Sequence, residues 1–303
     1  MNTNELTTIN KDNYDAMAKV MGMNMDIANK SKSSTLDRLK ISHTPIMGMG
    51  EVNGKKTRLE VVQGGTYRLE DVEKETSYYS SKVSLRPFIQ RFMYKKWVKP
   101  EGEHGYYLKT IMADNLNIDL KDNRGGFNCG KPAGFIKDYN ALPESTKTAI
   151  KGIKRVRAIL GTVTFQDIVD VEGNSVENKA VKSRPVIWEI DNRDAFKIMG
   201  EPFTKCANLK HLPLQHNIDL STVERKLPNG NSFYLPSVNF SLKEIDITDG
   251  DQDLFKDFLS WIENYNSYII SEWTKSNNDG EDNLSESEEE LVDDFIDVEK
   301  ENA

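Results

Sequence analysis

The sequence predicts a mainly β, α+β protein: a closed or partly closed β-barrel with a few peripheral helices and a disordered acidic tail. Three observations predict it. Short runs of β-branched or alternating residues recur from residue 36 to about 247, separated by turn residues rather than by helix-length periodic segments. One long amphipathic helix, 251–273, carries an apolar stripe that needs a sheet to pack on. Charge is segregated: Asp279–Ala303 holds twelve acids against Lys300 alone, so a chain of 303 residues and net charge −8 divides into a tail of −11 and a body of +3. Many short strands with few helices favour a barrel over a parallel sheet.

Taken in order, residues 1–36 read as a flexible arm. Met17, Val20, Met21 and Met25 sit at helical spacing, and Lys30-Ser31-Lys32-Ser33-Ser34-Thr35 follows, too polar to support a core. The core is expected over 37–275. Thr57–Val62 and Thr66–Leu69 flank Gly64-Gly65 like a hairpin. Further strands are expected over Val83–Trp97, Tyr106–Ala113, Val156–Phe165 and Pro185–Ile190. Asn229-Gly230 marks another hairpin turn between Lys226 and Tyr234. Short helices are expected over Ser145–Ile153 and over Arg193–Met199, the latter stopped by Gly200. In the long helix Leu254, Phe255, Phe258, Trp261, Ile262, Tyr265 and Ile269 share one face. The tail is expected over 276–303, where so charged a composition cannot bury enough apolar surface to offset its ordering entropy.

Several chemistries are excluded by their own requirements. Gly125-Gly126-Phe127-Asn128-Cys129-Gly130-Lys131-Pro132 matches a phosphate loop until its last position, where proline replaces the hydroxyl that would hold magnesium. Cys206, His211, His216 and the distant Cys129 have no C-x-x-C spacing, so they imply no zinc. Asp249, Asp251 and Asp253 lack the glycine and final glutamate of a calcium loop and read better as acids at a helix start. No catalytic signature, cofactor site or metal site is implied. No apolar run approaches ~20 residues and no secretory segment opens the chain, so no membrane partner is expected. The separated cysteines fit a reducing cytoplasm.

One segment stands out. Residues 82–157 hold sixteen basic and seven acidic residues, a net +9. In an extended strand alternate side chains share a face. Val83, Leu85, Ile89, Met93 and Trp97 then make an apolar face, broken by Arg91 and Lys95, while Lys82, Arg86, Phe88, Phe92, Tyr94 and Lys96 make a face of cations and rings. Phosphates want cations, and unstacked bases want aromatic platforms. The candidate phosphate contacts are Arg86, Arg91, Lys95, Lys96, Lys109, Arg124, Lys131, Lys154, Arg155 and Arg157. The candidate stacking residues are Phe88, Phe92, Tyr94, Tyr106, Tyr107 and Phe127. A bulge at Pro87 would flip the alternation and turn the same rings into core.

A strand-rich body with a basic, aromatic surface and an acidic tail resembles the single-stranded-DNA-binding proteins of tailed bacteriophages. The tail segment Glu288-Glu289-Glu290-Leu291-Val292-Asp293-Asp294-Phe295-Ile296-Asp297 is similar to theirs in mixing acids with apolar anchors, and Lys30–Ser34 is similar to a basic element some members use to self-associate. The resemblance implies an OB-like β-barrel with insertions that coats single-stranded DNA in replication, recombination and repair, without catalysis. It also implies a tail that competes for the DNA groove and recruits replication or recombination proteins, here through Leu291, Val292, Asp293, Asp294, Phe295 and Ile296, in the host cytoplasm if the chain is phage-encoded. This chain departs from the family in lacking a compact Cys/His zinc module and in continuing to Ala303 past its acidic-aromatic cluster. The alternative class is a β-rich phage structural or assembly protein.

Overall fold

The computed structural model describes residues 36–52, 54–99, 104–132 and 136–277. The expected arm, apart from Leu36, and the expected tail, apart from Ser276 and Asn277, lie outside the described residues, including the anchors Leu291 to Ile296. In chain order the elements are β1 (Asp37–Ser42), β2 (Ile46–Val52), β3 (Lys55–Val62), β4 (Thr66–Asp71), β5 (Thr76–Ser80), β6 (Lys82–Val98), β7 (Tyr106–Lys109), α1 (Glu144–Ile150), β8 (Lys154–Gln166), β9 (Ile168–Val169), β10 (Ser175–Val176), β11 (Arg184–Ile190), α2 (Arg193–Ile198), α3 (Glu201–Leu209), β12 (Ile218–Lys226), β13 (Ser232–Phe240) and α4 (Asp249–Asn277).

The fold is mainly β. Eleven strands form one mixed sheet in the order β10-β9-β5-β4-β1-β11-β8-β6-β12-β13, with β7 added to β6, while β2 and β3 form a separate ribbon. The β1–β11 pair is parallel. The expected closed barrel does not form: the described pairings leave β10 and β13 as open ends. The sheet curls far enough for side chains to bridge it instead. The Tyr67 hydroxyl donates to Ser221 O at 3.0 Å, and Thr222 Oγ1 donates to Gly65 O at 2.6 Å.

Two cores result, one on each face. Inside the curl lie Leu39, Tyr67, Leu69, Val83, Leu85, Ile159, Val163, Phe165, Val186 and Trp188. On the outer face α4 lays Phe258, Ile262, Tyr265 and Ile269 onto Ile89, Met93, Val156, Ala158 and Leu160. The helical spacing of those four residues explains why that face is buried, whereas Phe255 on the predicted stripe is exposed.

The long strand β6 serves both cores because of a bulge. Pro87 pairs with Gly161 and Ile89 with Leu160, leaving Phe88 as the extra residue. The alternation therefore flips, with Val83 and Leu85 facing inward and Ile89 and Met93 facing α4. Gly161 is what allows it: a Cβ there would stand 2.4 Å from the Arg86 carbonyl oxygen.

Three local expectations are corrected. Gly64-Gly65 is not a hairpin turn, since β3 pairs with β2 and β4 pairs with β1; Gly65, at φ +83°, turns the chain from the ribbon back into the main sheet. α2 does end before Gly200, at Ile198, but Gly200 is no left-handed cap: at φ −80° it leads straight into α3, whose own end is Lys210 in the left-handed region. The strand expected over Tyr106–Ala113 ends at Lys109. The Asn229-Gly230 turn, by contrast, joins β12 and β13 with Gly230 at φ +87°.

Candidate nucleic-acid interface

The structure divides the sixteen candidate residues by what each one touches. A first group serves the fold. Phe88 is buried edge-on against Phe258, the bulge having sent it onto α4. Arg86 clamps Asp251 in the first turn of α4 at 2.7 and 3.1 Å, and its Nε donates to Leu214 O at 2.6 Å. Tyr94 is buried with Leu120 and Cys129 under the glycine-rich loop. These three are core or structural residues, against the expectation that they meet the ligand.

A second group is neutralised by acids distant in sequence. Lys95 and Lys154 both reach Asp191, at 3.1 and 3.0 Å, and the buried Lys109 reaches Glu189 at 3.3 Å. Burial alone would lower Lys95, but Glu189 and Asp191 outweigh it and hold the ammonium above its ordinary value. Arg91 meets Asp114 at 3.1 Å, a surface pair of small energetic weight.

The third group is set among aromatic rings and carbonyl groups. The strand pairs Phe92–Arg157 and Tyr94–Arg155 place these residues on one face of the β6–β8 ladder, which Lys96 shares. The Arg155 guanidinium lies 5.5 Å from the ring centre of Phe196 on α2, and that of Arg157 lies 4.6 Å from the same ring and 5.0 Å from Phe92. Neither arginine meets a carboxylate among the described residues; Arg157 donates to Phe196 O and to the Gln90 side chain. Burial pulls Arg157 down to about 10. Lys131 projects over Tyr94 and is lowered first by burial and then by the charge of Arg155. Lys96 donates to Ala149 O at 2.9 Å. Lys131 and Arg155 thus repel one another here, whereas Lys95, Lys109 and Lys154 are held by acids.

A neighbouring cluster forms where α4 ends on the glycine-rich loop. Asp122 accepts from the backbone N–H groups of Arg124 and Gly126, and Asn128 and Cys129 adopt positive φ, which together fold this loop tightly. Trp273 Nε1 donates to Gly126 O at 3.0 Å, with Lys121 4.0 Å above its ring and the exposed Phe127 edge-on to it. Arg124, exposed, stacks 4.6 Å over Tyr106. Tyr107 packs edge-on against Trp97 at 4.7 Å.

Trp97, Lys121, Phe196 and Trp273 were not legible as site residues. Strict alternation places Trp97 on an apolar face, yet it is 39% exposed; its signal is the lysine-flanked run Lys95-Lys96-Trp97-Val98-Lys99. Phe196 and Trp273 reach the segment only through tertiary packing. Among the described residues no group of three or more His, Cys, Asp or Glu side chains could hold a metal, and no helix is long and apolar enough to cross a membrane. Comparisons with protein-family models, curated proteins and solved structures found no match.

Proposed function

We propose that this chain binds single-stranded DNA without catalysing a reaction, in DNA replication, recombination or repair. The observation that carries the reading is the exposed Arg155, which shares the Phe196 ring with the buried Arg157 and has no carboxylate beside it among the described residues. Like charges held together raise the free energy of the empty protein, and a polyanion relieves that repulsion on binding. Phe127 and the half-buried Tyr106 and Tyr107 supply further rings for unstacked bases. An OB-like character belongs to the same reading, supported by the bridging of the curled sheet by Tyr67 and Thr222.

The tail belongs to this reading as well. Asn277 Nδ2 donates to Gly125 O at 3.0 Å, so α4 ends on the loop that carries Lys121 and Arg124. Chain connectivity makes it an intramolecular competitor at high effective concentration, and Leu291, Val292, Asp293, Asp294, Phe295 and Ile296 would dock a replication or recombination protein. Residues 1–36 would join neighbouring copies along the strand.

Titrating labelled oligo-dT and duplex DNA at several salt concentrations tests the function. About four to six phosphate contacts give a slope of log K against log salt of about −3 to −4 at 0.7 per contact. A slope near zero with both ligands refutes it.

A further inference from the structure

Trp97 is held as though to offer one ring face. Its indole lies against Gly105, where a Cβ would come within 2.2 Å of Cζ2, so only glycine seats the ring there. Tyr107, its cross-strand neighbour, meets it edge-on at 4.7 Å and 63°, and Lys95 Nζ stands 5.3 Å from the centre of the Tyr107 ring. With Gly105 against its six-membered ring and Tyr107 beside it, Trp97 remains 39% exposed. A core tryptophan would be closed, as Trp188 is at 4%. Two residues on, Lys99 is exposed and makes no ion pair among the described residues.

From this seat we infer a nucleobase site: Trp97 stacks one unstacked base on its open face, and Lys99 takes the phosphate beside it. The inference deepens the single-stranded-DNA reading and rests on it. An aromatic ring serves any base, since each has a π-face, so the site is sequence-tolerant. It lies beyond the arginine pair, on the face of the β6–β7 ladder opposite Lys96, and it extends the strand's path around the end of β6.

Five full-length proteins decide it: wild type, Trp97→Ala, Trp97→Phe, Gly105→Ala and Lys99→Gln, each with thermal melts to verify folding. Loss of one stack, worth about 1–3 kcal/mol, should weaken oligo-dT binding roughly 5- to 150-fold in Trp97→Ala with the salt slope unchanged. Trp97→Phe should recover part of it. Gly105→Ala should act like a milder Trp97→Ala by lifting the indole from its seat. Lys99→Gln should instead flatten the slope by about 0.7. Tryptophan emission should be quenched by oligo-dT in wild type and much less in Trp97→Ala. If wild type binds while Trp97→Ala and Gly105→Ala keep its affinity and its quenching, the base site is overturned and the DNA reading stands. If wild type fails to bind any oligonucleotide, the DNA reading itself has failed.

Discussion

Arg86 and Arg155 lie in the same basic segment, yet their surroundings dictate opposite responses to the same change. In Arg86→Gln, α4 loses a bidentate clamp between side chains only 17% and 12% exposed, together with the bond to Leu214 O. Breaking a buried pair typically costs about 3–5 kcal/mol. Asp251 keeps its bonds from Thr248 N and Oγ1, which reduces the loss here to about 2–3 kcal/mol. At about 2–4 °C per kcal/mol for a domain of this size, the melting temperature should fall by about 4–12 °C. In Arg155→Gln an exposed cation–π contact of about 0.5–1 kcal/mol disappears, and the repulsion that depresses Lys131 disappears with it. Stability should stay within about 0.5 kcal/mol of wild type. One phosphate contact is lost, so the salt slope for oligo-dT should flatten by about 0.7. Calorimetry and salt-dependent anisotropy on both variants measure this. Equal melting losses, or an unchanged slope in Arg155→Gln, would refute the division into structural and DNA-binding cations.

Gly161→Ala should destabilise the fold by about 1–3 kcal/mol or more, because all three nearest atoms, the Arg86 carbonyl oxygen and carbon and the Pro87 Cα, are backbone; chemical denaturation measures the loss. Burial would raise Asp191, but Lys95 and Lys154 hold it below the ordinary aspartate range. Its stabilisation is therefore complete above about pH 4 and is lost as pH falls through the depressed value, so Asp191→Asn should flatten that part of the acid-unfolding curve. Truncation after Asn278 removes twelve acids and one lysine, taking the net charge from −8 to +3. Single-stranded DNA should then bind more tightly, most of all at low salt; coincident low-salt curves for the two proteins would exclude an inhibitory tail.

What could be read from the sequence was local. Asn229-Gly230, the periodicity of Phe258, Ile262, Tyr265 and Ile269, and the strand run around Val156–Phe165 each specify their element through neighbouring residues. The partition of the basic residues is not local, since Asp251 meets Arg86 across 165 positions and Glu189 meets Lys109 across 80. A charge count over 82–157 sees the cations and misses the acids that silence them. The bulge defeated the alternation for a different reason: Pro87 announces an irregularity, but whether the chain gains a residue there depends on Gly161 in the facing strand. The ribbon of β2 and β3 displaced the expected pairing around Gly65 in the same non-local way.

The extra residue at Phe88 also bears on how the molecule comes apart. β6 contributes Val83 and Leu85 to the core inside the curl and Ile89 and Met93 to the core beneath α4, and β8 alternates between the same two with Ile159 and Leu160. Both hydrophobic masses therefore share the β6–β8 ladder, and β11 joins them in the same way through Trp188 on one side and Ile187 on the other. The two cores should behave as a single cooperative unit, with amides on both sides of the bulge exchanging through the same global opening rather than through separate local ones.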